Sequence, residues 1–384
     1  MNRLTTPWHE LDLARFPYDP RDQLRAWDAA DEYLLRHLAG EDGTPVDLSG
    51  AVVVLGDRWG ALATALAGHR PVQIGDSHLA RRATEANLER NGIAATAVRP
   101  RSTRSDPPER VDVLLLRVPK SLSLLEDQLH RLAPAVHAGT VVVGAGMVKE
   151  IHTSTLKLFE QILGPTRTSP AWRKARLVFC TPGPGLPRGR SPWPRRWEVP
   201  GDTGAASGRT VTNHAGVFCA ERLDIGTRFF LRHLPHRRGP EHVVDLGCGN
   251  GVVGLAAALD NPQARVTFAD ESYQALASAE ETFRANTGPQ AEAAFVAGDG
   301  LAALADGSAD LVLNNPPFHS HQATTDAVAR RMFSDAHRVL RPGGELWVVG
   351  NRHLGYHLRL RRLFGGCELV TSNPKFVVLR AVRG

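Results

Sequence analysis

The stretch HVVDLGCGNGVVGLAAAL, residues 242–259, has a near copy in the same chain, AVVVLGDRWGALATAL, residues 51–66. Each opens with an apolar run of strand length, passes a glycine-marked turn and continues as an apolar segment of helical length. Leu55-Gly56 lies over Leu246-Gly247, and Gly60 over Gly251. The correspondence then runs on. VQIGDSHLARRATEANLERNG from Val72 parallels VTFADESYQALASAEETFRAN from Val266, each a strand ending at an acidic residue, Asp76 or Asp270, ahead of a helix. VDVLLLRVPKS from Val111 lies over ADLVLNNPPFH from Ala309, HRLAPAVHAGTVVVGAG over HRVLRPGGELWVVGN, and KARLVFC over KFVVLRA. A duplication of this kind, with strands alternating with helices, implies two α/β domains of one architecture, each a parallel sheet covered on both faces. The expected domains are residues 1–200 and 201–384. Residues 183–210, rich in Pro, Gly and Arg, read as a linker, and SPWPRRWEV within them as a solvated connector.

Composition agrees with two folded domains. The chain has 384 residues, 42% of them hydrophobic, and a net charge of +6 carried mainly by arginine. Arginine suits phosphate contacts and stacks on bases. Cys180, Cys219, Cys248 and Cys367 are far apart with no CxxC pair, so neither a disulfide framework nor a zinc site is expected. The N-terminal MNRLTTPWHELDLARF lacks an apolar signal core, and no run approaches about eighteen apolar residues. No membrane association and a cytoplasmic location are the expectation.

The two copies differ where chemistry would sit. Asp245 is replaced by Val54, Gly249 by Arg58, and Asn315-Pro316-Pro317-Phe318 by Arg117-Val118-Pro119-Lys120. The first copy is therefore expected to have lost its pocket. Its basic replacements suggest that it holds a substrate instead; a merely structural domain is the plain alternative.

In LVLNNPPFHS, residues 311–320, an apolar strand ends in a rigid polar turn. The Asn315 side-chain oxygen and the Pro316 carbonyl can both accept from one exocyclic NH2 group, while the prolines stiffen the loop and Phe318 offers a stacking face. The plain alternative is an ordinary strand-end turn, which Asn-Pro also favours. Upstream, Gly249-x-Gly251-x-x-Gly254 satisfies the dinucleotide fingerprint, so the glycines alone leave NAD open. Asp245 weighs against a pyrophosphate and for the ammonium of an amino-acid-like cofactor such as S-adenosylmethionine. Asp270 ends the next strand, where it can accept ribose hydroxyls, and Asp299 follows the third, within reach of an adenine amine. Singly, each could be a turn or helix cap.

With NHAGVFCAERLDIGTRFFLRHLP from Asn213, NNPPFHSHQATTDAVARRMF from Asn314 and VVGNRHLGYHLRLRRLFGGCELVTSNPKFVVLRAV from Val348, the chain resembles the class I S-adenosylmethionine-dependent methyltransferases with an NPPF signature. Within them it is similar to the bacterial ribosomal RNA guanine-N2 methyltransferases, most nearly those acting on 23S rRNA. The resemblance implies two tandem Rossmann-like domains, the N-terminal one degenerate and serving RNA recognition. It implies that Asp245, Gly247, Gly249 and Gly251 hold the methionine part of the cofactor, Asp270 the ribose and Asp299 the adenine. Asn315, Pro316, Pro317 and Phe318 would hold the guanine. GVFCAERLDIGT from Gly216 would form a lid with Phe218 and Thr227 as contacts, and Cys219 departs from a more usual small hydroxyl residue. Ribosomal RNA, naked or in an assembling subunit, is the implied partner. His319 and His321 beside the clamp are expected to shape the loop, with no metal. Alternatives are a 16S rRNA guanine-N2 methyltransferase, a non-catalytic rRNA-binding assembly factor and a protein glutamine methyltransferase, which usually carries Tyr after the prolines. Arg81-Arg82, Arg99 with Arg101 and Arg104, Arg173-Lys174-Arg176, Arg188 to Arg196, and Arg359 with Arg361-Arg362 are the candidate RNA surface.

Overall fold

A computed structural model describes residues 3–183, 189–317 and 322–384. It divides into two compact units, Met1–Trp193 and Pro194–Gly384. In the first, seven strands lie in the order Arg99–Ser102, Val72–Gly75, Val52–Leu55, Val111–Arg117, Val136–Met147, Ala175–Cys180, Thr166–Thr168. In the second the order is Ala293–Ala297, Arg265–Asp270, His242–Leu246, Ala309–Asn314, Leu340–Asn351, Phe376–Val382, Glu368–Ser372. The sheets have the same connectivity strand for strand: five parallel strands, then an antiparallel hairpin. The repeat read in the sequence is thus a repeat of fold.

Local chemistry explains the shared elements. Val52–Leu55 and His242–Leu246 are buried at every residue, as central parallel strands covered on both faces must be. Each second strand is followed by a serine that caps the next helix. The Ser77 hydroxyl accepts from Ala80 N and that of Ser272 from Ala275 N, caps worth about 1 kcal/mol each.

In both sheets the strand order reverses beside the first strand, which places a crevice outside the carboxyl ends of the central strands. In the second unit Leu246 pairs with Asn314. The glycine turn and the Asn-Pro-Pro turn therefore leave the sheet side by side.

The expected linker is partly structured. Arg195–Glu198 pairs with Thr210–Asn213, and Val199, Ala206 and Val211 are buried in the core of the second unit with Phe230 and Phe268. Those apolar side chains commit the segment to the second unit, and so the division falls ahead of the 200/201 boundary expected from composition. Among the described residues, no helix is long and apolar enough to cross a membrane.

Candidate functional site

Asp245 is 3% exposed, and its Oδ2 accepts from Gly254 N at 2.8 Å. Burial pushes its carboxyl up to about 8; the Gly254 hydrogen bond opposes this and the Asp270 charge adds to it. Among the described residues no cationic side chain offsets that burial, so a ligand ammonium is the chemical complement the site lacks. Gly249 adopts φ +52°, and a Cβ built there would meet nothing within 4 Å. The turn is open at that point, and a ligand can lie against its backbone. At Gly251 a Cβ would stand 2.7 Å from Ala279 Cβ, so packing of the turn also requires glycine there.

Asp270 braces the same turn. Its Oδ2 accepts from Gly249 N and its Oδ1 from Ser272 N, both at 3.0 Å. Burial raises its pKa against those bonds and a further one from the Glu271 backbone, and the carboxylate keeps capacity for one more donor such as a hydroxyl. Asp299, just beyond Ala293–Ala297, pairs with Arg331 at 3.2 Å. The three aspartates come from neighbouring parallel strands and lie toward one edge of the sheet.

Asn314 and Asn315 divide the work of the adjoining turn. Asn314, fully buried, donates from Nδ2 to the Leu246 carbonyl at 2.8 Å and ties the two central strands together. Asn315 donates from Nδ2 to Thr227 Oγ1 at 2.9 Å, while its Oδ1 is buried without a hydrogen-bond partner among the described residues. Leaving such an acceptor unmet costs about 1–3 kcal/mol, which a ligand N–H reaching it recovers. Thr227 sits in the first turn of helix Ile225–Leu231, capped by Asp224. Pro316 is buried and Pro317 exposed; Phe318, His319 and His321 lie outside the described residues. Phe218 is 56% exposed in the segment preceding that helix. Burial pushes the neighbouring Cys219 thiol up to about 11, so it stays protonated near neutral pH. The Asn315–Thr227 bond spans 88 residues of sequence, and no spacing announces it. For Asn314 the only signal was the doubled asparagine.

The equivalent positions of the first unit correct one expectation. Arg117 does not face a substrate: it is 1% exposed and clasps Asp28 with both terminal nitrogens, at 3.0 and 2.8 Å, with Asp31 at 3.3 Å. Arg58 pairs with Glu150 at 3.1 Å and Asp28 at 3.5 Å. Both bases are neutralised internally: Arg117 because a buried charge requires a partner, and the partly exposed Arg58 by the same acidic cluster. Asp57 is fixed as well, accepting from Gly60 N and Ala63 N.

Elsewhere, Arg81 and Arg82 share Glu85, and Arg173 pairs with Glu32. In helix Tyr356–Phe364, Tyr356, Leu360 and Phe364 are buried while Arg361 and Arg362 are exposed. Among the described residues no group of three or more His, Cys, Asp or Glu side chains is placed to hold a metal ion.

Comparison with known proteins adds to this geometry. A family model described as RLMG N-terminal domain matches residues 1–184, and one described as methyltransferase small domain matches residues 208–380. The curated ribosomal RNA large subunit methyltransferase G of Streptomyces avermitilis is 72% identical, over 99% of this chain and 99% of its own length. The protein of that name from Streptomyces griseus subsp. griseus is 70% identical over 100% of both, and that from Pseudomonas aeruginosa 50% identical over 99% of this chain and 100% of its own. Among solved structures, the T. thermophilus 16S rRNA N2 G1207 methyltransferase (RsmC) in complex with AdoMet and guanosine aligns with a TM-score of 0.76 at 21% identity. That alignment covers 100% of this chain and 97% of the other, and shows a common two-domain fold.

Proposed function

Because this chain belongs to the ribosomal RNA large subunit methyltransferase G family, we propose that it transfers a methyl group from S-adenosylmethionine to the exocyclic N2 amine of a guanine in 23S rRNA. The observation carrying this reading is the Asn315 Oδ1, buried at the strand end with no partner among the described residues. An amine conjugated to a purine ring is a weak nucleophile. Asn315 Oδ1 and the Pro316 carbonyl would accept its two hydrogens and hold its lone pair out of conjugation, and Phe318 would supply the stacking face. Unstacking a base costs a few kcal/mol, and stacking on an aromatic ring returns about 1–3 kcal/mol. Alignment is then left as the main source of rate. No strong base is required, since the nitrogen becomes acidic once alkylated and its proton can pass to water.

The donor side fits S-adenosylmethionine. The open cradle at Gly249 and the uncompensated Asp245 carboxyl suit a ligand with an ammonium and no phosphate. Asp245, Gly247, Gly249 and Gly251 would hold the methionine part, Asp270 the ribose and Asp299 the adenine, with Phe218 and the Thr227 methyl approaching from the lid segment. When bound, the cofactor supplies an electrophilic methyl on a sulfonium.

A pH dependence follows from Asp245. Its folded pKa of about 8 leaves it protonated at pH 6, whereas an ammonium ligand requires the anion. Binding below pH 8 must therefore release a proton. Cofactor affinity is expected to tighten about tenfold per pH unit up to about pH 7 and to level toward pH 8, where Asp245 and the ligand's own α-amino group, near 7.7–8.0, both titrate. Calorimetry in buffers of different ionisation enthalpy measures the released proton, and Asp245→Asn should abolish the slope. A flat profile in the parent protein would remove Asp245 from the cofactor site.

The first unit, with its own site closed, would serve RNA recognition through exposed arginines, and the whole would work in the cytoplasm on naked rRNA or an assembling subunit. Mass-spectrometric mapping of ribosomal RNA from cells lacking the protein tests the assignment. One N2-methylguanosine should vanish from 23S rRNA and return on complementation. Loss from 16S rRNA alone, or no loss, overturns it.

A further inference from the structure

The side-chain amide of Asn315 has two orientations of equal shape and opposite chemistry. With the oxygen toward the base it accepts from an amine; with the nitrogen there, donor meets donor. Asn315 carries no group of its own that selects between them, and two residues of helix Ile225–Leu231 and its cap supply the selection. The Asn315 Nδ2 donates to Thr227 Oγ1 at 2.9 Å. The same hydroxyl lies 3.4 Å from Asp224 Oδ2, a long hydrogen bond, and that oxygen also accepts from Thr227 N at 2.9 Å. A hydroxyl has a single proton. Directed at a carboxylate, which accepts, it leaves only lone pairs facing Asn315, and lone pairs can meet only the amide NH2. Were the amide reversed, two oxygens would oppose each other with no hydrogen between them. Asp224 thereby sets the Thr227 proton, Thr227 sets the Asn315 amide, and Oδ1 is left buried and open to a donor.

We propose that Thr227, with Asp224 behind it, is a positioning residue that locks Asn315 in its amine-accepting orientation. The inference deepens the clamp reading above and rests on it. It gives the Thr227 hydroxyl, already engaged on the clamp side, a role toward the substrate amine, and leaves only the methyl for the cofactor side.

Thr227→Val removes the hydroxyl at nearly constant volume and keeps the backbone N–H that Asp224 caps, so helix capping is preserved. Turnover at saturating rRNA and cofactor should fall about three- to tenfold, the worth of one net hydrogen bond. The cofactor Kd, read by calorimetry, should stay within about two-fold, because no cofactor contact is lost. Thr227→Ser, which restores the hydroxyl, should recover most of the rate. If Thr227→Val weakens cofactor binding and leaves turnover at saturation unchanged, Thr227 is a cofactor contact and the proposal is wrong. If Thr227→Ser is as slow as Thr227→Val, restoring the hydroxyl does not restore the rate, and the proposal is again wrong. Asn315→Ala run alongside separates the two levels: slow Asn315→Ala with normal Thr227→Val sinks only the lock, whereas normal Asn315→Ala sinks the clamp itself.

Discussion

Replacing Asn315 by alanine is expected to slow methyl transfer by about 10²–10³-fold, the usual cost of deleting one preorganised polar group aimed at a reacting centre. Only one protein acceptor, the Pro316 carbonyl, would remain for an amine with two hydrogens, and nothing would hold the lone pair in line with the methyl group. Cofactor binding should barely change, because Asp245, Asp270 and the glycine turn are held by contacts that do not pass through Asn315. Single-turnover rates with rRNA, together with a calorimetric Kd for the cofactor, separate the two effects. A variant as fast as the parent would end the account of the site.

The second large effect belongs to stability. Arg117→Ala should destabilise the first unit by about 3–5 kcal/mol, as expected when one partner of a buried ion pair is removed and the other left behind. Asp28 would lose its bidentate partner, and Asp31 its nearest positive charge. Burial pushes Asp31 up to about 7 even against Arg117, with the charges of Asp28 and Asp57 adding to the rise. Unfolded, it titrates near 3.9. The stability linked to Asp31 is therefore complete below about pH 4 and is lost as pH rises through about 7. Without Arg117 its pKa climbs further, so the variant's deficit should widen between about pH 6 and pH 8. Denaturant titration at both pH values measures this, and an unchanged midpoint would show that the network contributes nothing. Lysine should rescue poorly, because an ammonium cannot reproduce the two-pronged contact with Asp28.

The fold was legible because its signals are local. Apolar runs such as VVVL and HVVDL, the positive-φ glycines after them and the capping serines each act within a few residues, and they recur in order. The aspartates proposed for the donor side carry a local signal of the same kind, since each stands at or near a strand end. Contacts between distant segments were not. Arg117 meets Asp28 across 89 residues, Arg58 meets Glu150 across 92, and Asn315 meets Thr227 across 88. A basic residue at a former pocket position looks identical in sequence whether it awaits a phosphate or is strapped to a carboxylate. Residues 183–210, read as a linker, misled in a related way: Pro, Gly and Arg dominate the composition, but Trp197, Val199 and Ala206 determine where the later part of the segment packs.

The strapped arginines also make the first unit's history hard to reverse. Recovering the second unit's chemistry there would require Arg58 and Arg117 to revert together with adjustments at Asp28, Asp31 and Glu150, because any one change alone strands a charge inside the protein. With two units on one scaffold, this knot of opposite charges works as a ratchet on the first, keeping the fold while barring single-step exchange toward the residues of the second.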